Sequence, residues 1–124
     1  MVWRGDKYMI NQFIYITDTM EFIHQYKDAP EEVAYLRNLH RHLLHIKVAI
    51  EVFSDDREIE FIMFKHAVHN YLYDECYGSN CSCETISKML LCFIQNHYGN
   101  GRDINIQISE DGETGCELIY RKEN

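Results

Sequence analysis

The sequence contains no apolar run long enough to cross a bilayer, and its opening residues, Met1-Val2-Trp3-Arg4-Gly5-Asp6-Lys7, lack the apolar stretch of a signal peptide. Neither a membrane span nor a secretory leader is expected, and the expected compartment is the cytoplasm. Basic residues are scarce: 12 Lys and Arg stand against 20 Asp and Glu, a formal charge of −8. No nucleic-acid polymer is expected as a partner, because a phosphate backbone needs clustered Lys and Arg to displace its counterions. Paired cysteine spacing is missing too. Cys76, Cys81, Cys83, Cys92 and Cys116 form an odd set that reads as free thiols, and the grouping Cys76, Cys81, Cys83 fits no zinc motif. There is no Gly-rich phosphate loop, Ser-centred elbow, paired-carboxylate motif, internal repeat or low-complexity tract.

What is present is the periodicity of one domain, residues 1–124. From Asp6 to Tyr26, apolar and aromatic residues recur among polar ones and predict one or two strands, broken near Thr17-Asp18-Thr19. Pro30-Glu31-Glu32 predicts a short helical turn or ordered loop. His40 through Phe53 alternates with period two, a long half-buried strand. Ile59 to Tyr73 carries Phe61, Phe64, Val68, Tyr71 and Leu72 at helical spacing. A second helix is predicted from an N-cap at Ser82, along Ile86, Met89, Leu90, Phe93 and Ile94, to a stop before Gly99. Ile104, Ile106 and Ile108 alternate again, and a Gly-bearing turn at 111–115 leads into a last strand through Arg121. The order predicts an α+β fold, a four-stranded antiparallel sheet with two long helices on one face. Open sheet edges predict a homo-oligomer in which sheets join.

Seven histidines are many for this length. On a strand, positions i and i+2 share a face, so His40 and His42 can present two imidazoles to one metal ion. His24 could supply a third from an earlier strand, giving the ligand set of a zinc with one open position. Two histidines at this spacing also occur as plain decoration of a strand, and spacing alone does not separate the two. Glu110, at the end of a row of isoleucines, could accept paired hydrogen bonds from an amidine-like ring edge such as guanine or pterin presents, or could be a solvated turn acid.

Five runs, in order, resemble the 6-pyruvoyltetrahydropterin and 6-carboxytetrahydropterin synthase family. They are Phe22-Ile23-His24, Leu39-His40-Arg41-His42, Ile59 to Lys65, Cys81-Ser82-Cys83-Glu84-Thr85, and Ile108-Ser109-Glu110-Asp111 followed by Gly115 through Tyr120. The family patterns beside them are F-x-A-A-H, H-G-H, D-F-x-x-L-K, P-T-S-E, and V-x-E-T with G-x-x-Y. The resemblance implies a tunnelling fold (β-β-α-α-β-β) and zinc on His24, His40 and His42. It also implies a purine- or pterin-like base on Glu110, and trimers that stack into hexamers with pockets between subunits.

The departures are as informative. Where family enzymes carry a catalytic Cys, four residues before H-G-H, this chain has Leu36, and no cysteine lies between His24 and His40. The family's D-H-x-x-L-N loop has no counterpart in 73–78. General acid–base and covalent routes need those groups within reach, so the ordinary synthase reaction is expected to be impaired or absent. Arg41 replaces the glycine of H-G-H and points away from the histidines, where it could meet an anionic ligand or a neighbouring subunit. The chain also resembles phage-encoded proteins of synthase-like type. That implies a binding protein in the host cytoplasm, holding a cyclic nucleotide or similar immune signal without turning it over. The alternative is a zinc-dependent lyase of the same family.

Overall fold

Alternation of period two in the middle of the chain becomes the strand around which the sheet is built. In the computed structural model, which describes residues 10–123, β1 (Gln12–His24) pairs antiparallel with β2 (His40–Val52), β2 with β3 (Ile104–Glu110), and β3 with β4 (Thr114–Tyr120). The sheet order β1-β2-β3-β4 leaves β1 and β4 as open edges. A 3-10 turn at Glu31–Arg37 separates β1 from β2, and α1 (Phe61–Cys76) and α2 (Cys83–Tyr98) separate β2 from β3. The protein is thus α+β with a four-stranded antiparallel sheet. Among the described residues, no helix is long and apolar enough to cross a membrane.

Every strand residue in the core has an even number. Ile16, Met20 and Phe22 of β1, Leu44 to Val52 of β2 and Ile104, Ile106 and Ile108 of β3 join Phe64, Val68, Leu72, Ile86, Leu90 and Ile94 of the helices in one cluster. Cross-strand pairs Ile50↔Ile104, Val48↔Ile106 and Ile46↔Ile108 stack branched side chains on this face. Each buried Val, Leu or Ile contributes roughly 1.5–3 kcal/mol.

Local chemistry sets the helix ends. Glu60 caps α1, its carboxylate accepting from the N–H groups of Ile62 and Met63 at 2.9 and 3.0 Å. Ser82 caps α2 through the Thr85 N–H at 3.2 Å, and Gly99, with φ of 82°, ends it. The helix expected over Ile59–Tyr73 therefore starts and ends slightly later.

The expected break near Thr17-Asp18-Thr19 does not occur. The ladder to β2 runs through Thr17↔Lys47, Asp18↔Ile46 and Thr19↔His45, and Asp18, an acid in the core-facing row, finds His69 Nδ1 of α1 at 2.6 Å. With that partner the carboxylate stays in the row and the strand continues. The expected strand positions before residue 10 lie outside the described residues.

The β3–β4 turn needs Asp111 and Gly112 in the left-handed region, at φ of 58° and 72°. Gly115, opposite Ser109, is required for space, because a Cβ there would collide with the Ile108 carbonyl oxygen and the Ser109 backbone. Gly115→Ala is expected to destabilise the protein by about 2 kcal/mol in urea unfolding. A loss under about 0.5 kcal/mol would mean that the hairpin shifts to admit the methyl group.

Candidate metal centre and adjoining cleft

The β1–β2 register sets His24 directly opposite His40 and Phe22 opposite His42, so all three imidazoles emerge at one end of the core-facing side of the sheet. Ring centroids lie 4.6 Å (His24–His40), 5.1 Å (His24–His42) and 4.7 Å (His40–His42) apart. One ring nitrogen from each falls within 4.8 Å of the other two. The three residues expected to form a metal site are brought together.

The surroundings orient the rings. His42 Nδ1 lies 2.8 Å from Asp111 Oδ2, while Asp111 Oδ1 accepts the Leu43 N–H at 2.9 Å, and His40 Nδ1 lies 2.8 Å from the Asn38 carbonyl. The His42 contact, then the Leu43 N–H, holds the Asp111 carboxyl below its ordinary range. An imidazole fixed through one nitrogen by a carboxylate or a backbone oxygen presents the other to a cation.

His24 Nε2 and His42 Nε2 are both buried without a hydrogen-bond partner. Glu110 approaches them, with Oε2 3.2 Å from His42 Nε2 and Oε1 3.6 Å from His24 Nε2, but makes a hydrogen bond to neither. Burial lowers the pKa of His24, opposed by Glu110 and reinforced by His40 and His42, which favours the neutral, ligating form. Orphaned buried nitrogens cost free energy unless something accepts their lone pairs. Three imidazoles sharing one cation would satisfy them, and the donor set suits zinc, copper, iron or nickel.

A cleft of about 560 Å³ opens beside the triad, with His24, His40, Glu110, Tyr26, Leu36 and Cys81 on its wall. That volume lies in the range of small-molecule sites. Leu36, at the position where the resembled family carries its thiol, does face the cleft. Cys81, legible in the sequence only as a free thiol, reaches the same wall from the α1–α2 connection. A cysteine just before an N-cap serine carried no signal by itself, since only tertiary packing sets that connection against β1. The thiols of Cys76 and Cys83 are pushed up to about 11, mainly by burial, so neither is a ready nucleophile.

Arg41 is not at the cleft. It lies on the opposite face of the sheet, its Nη1 3.7 Å from Glu21 Oε1 and both side chains exposed. No protein-family profile matches the chain, and no curated protein matches it.

Proposed function

We propose that the protein binds a flat purine- or pterin-like small molecule in this cleft, beside a zinc ion held by His24, His40 and His42, and does not turn it over. The observation that carries the reading is the convergence of three imidazoles, one ring nitrogen of each within 4.8 Å of the others, beside a cleft that His24 and His40 line, with the Nε2 atoms of His24 and His42 buried and unpartnered. Zinc bound there would supply a Lewis acid to polarise the ligand. His42 and His40 are oriented for that task by Asp111 and the Asn38 carbonyl. Glu110, on the cleft wall with its side chain 28% exposed, can accept side-by-side N–H donors from an amidine edge. Leu36 in place of a thiol favours binding over turnover.

On this reading the subunit has a tunnelling fold, with both helices on the even-numbered face of the sheet. The open edges of β1 and β4 then pair between subunits in a trimer or hexamer. Exposed Tyr15 on β1, and exposed Phe61 and Ile62 beside it on α1, support burial of that edge. Encoded by a phage, such a protein would sequester a host immune nucleotide in the host cytoplasm.

A second reading, a zinc-dependent lyase of the resembled family, is favoured by Cys81 and Glu110 standing on one wall. A thiol and a carboxylate there can exchange protons with a bound molecule.

The deciding experiment incubates the purified protein with cyclic nucleotides, cyclic ADP-ribose isomers and pterins, removes the unbound fraction, and identifies by mass spectrometry what heating releases. Sequestration predicts one compound released intact, and loss of its retention in Glu110→Ala. Release of a chemically altered compound would establish the lyase instead. Retention of none of the panel would remove the binding reading.

A further inference from the structure

The face of the sheet bearing the odd-numbered residues contributes nothing to the apolar core. Across three strands it carries two transverse rows, Thr19↔His45↔Ser109 and Thr17↔Lys47↔Gln107. Neighbouring strands lie about 4.8 Å apart and residues two apart on a strand about 6.8 Å, so the rows pave a patch about 10 by 7 Å. A cavity of about 380 Å³ lies over this patch, and Lys65 of α1 joins its wall.

Every residue in the two rows can donate a hydrogen bond, and none is acidic. Gln107 gives its amide N–H to Glu117 at 2.6 Å, which closes the patch on the β4 side. Among the described residues, the side chains of Thr17, Thr19, His45 and Ser109 make no hydrogen bond, and neither Lys47 nor Lys65 has a carboxylate within 4 Å. Of the other described cations, Arg37, Arg41, Arg57, Arg102 and Lys122 are paired with carboxylates, while Lys27, Lys88 and Arg121 are not. Lys47 Nζ lies 5.0 Å from the centroid of the Tyr15 ring, a contact that steadies the ammonium without neutralising it. The one carboxylate on the cavity wall, Asp18, is engaged by His69 Nδ1 at 2.6 Å.

The geometry points to an anion site on this face, in which Lys47, Lys65 and His45, with the hydroxyls of Thr17, Thr19 and Ser109, hold the phosphate groups of a small molecule. Two unpaired ammoniums supply charge, and the ring nitrogen and hydroxyls supply short directional donors. A phosphate, with up to two charges and several acceptor oxygens, uses both. A polymer is disfavoured, because a chain of net charge −8 repels an extended phosphate backbone everywhere beyond the patch. The same repulsion weakens diffuse surface binding of a small polyanion. The histidine triad occupies the other face of the sheet, so the two sites stand or fall separately.

Inorganic pyrophosphate is the probe, titrated calorimetrically into the full chain in phosphate-free, low-salt buffer. One saturable site per chain is expected, with affinity falling as salt rises. Lys47→Gln with Lys65→Gln should weaken it more than about tenfold, a loss of about 1.4 kcal/mol. Lys27→Gln with Lys88→Gln makes the same change of charge at exposed positions elsewhere and should leave it unchanged. All four lysines are exposed, so both variants should keep the parental far-ultraviolet circular dichroism. Absence of saturable binding at about 1 mM pyrophosphate overturns the assignment. Equal weakening in the two double variants also overturns it, because binding would then follow net charge rather than place.

Discussion

His42→Ala will lower the affinity of the protein for zinc by about three orders of magnitude. The magnitude follows from removing roughly a quarter to a third of the 10–16 kcal/mol that zinc sites typically supply. His42 is the most heavily supported of the three proposed ligands: Asp111 fixes its Nδ1, and its Nε2 is buried without a hydrogen-bond partner. Asp111→Asn keeps the shape but removes the charge behind the ring, and should cost about 10–100-fold. Competition against a chromophoric chelator measures both. Zinc at about 100 times its dissociation constant should stabilise the parent by about 2.7 kcal/mol and the alanine variant far less. If the variant and parent bind zinc equally well while both remain folded, the three imidazoles are not a metal site, and their orphaned nitrogens need another explanation.

The second large effect lies away from the cleft. Lys122→Ala is expected to destabilise the fold by about 2–3 kcal/mol, read as a lower urea midpoint with unchanged slope. Glu51 is fully buried, at 0% exposure, on the face of β2 opposite the apolar core. It is matched by Lys122 Nζ at 2.5 Å, the Asp103 N–H at 3.0 Å and the Asn11 amide at 3.1 Å. Removing the cation leaves a buried carboxylate with neutral donors alone, a larger penalty than losing a surface pair. The Lys122 side chain is 27% exposed, which keeps the figure at the lower end. Glu51→Gln combined with Lys122→Met removes both charges and should recover most of the loss. If the double variant is as unstable as Lys122→Ala, the effect comes from lost packing of the chain after β4, not from the stranded charge.

Elements written in local patterns were legible. β2, α2 and the closing hairpin announce themselves by alternation, a serine cap and left-handed turn positions, each specified within a few residues. His40 and His42 share a face for the same reason, since a strand's period is two. The strand break assigned to Thr17-Asp18-Thr19 shows the limit of that logic. Three polar residues in a row carry a turn signature, and only a histidine 51 positions away in sequence lets Asp18 remain in the ladder.

The sequence by itself determined which residues alternate, where the helices are capped, and that two imidazoles project together. Tertiary structure alone decided that His24 stands across from His40, that Asp111 braces His42 from 69 residues away, and that Cys81 and Glu110 face one cleft. It also decided that Glu51 is sealed under Lys122, 71 residues distant. Periodicity and capping are fixed by a few neighbouring dihedrals and hydrogen bonds. Strand register and charge pairing depend on which distant segments the core draws together, and no local pattern carries that choice.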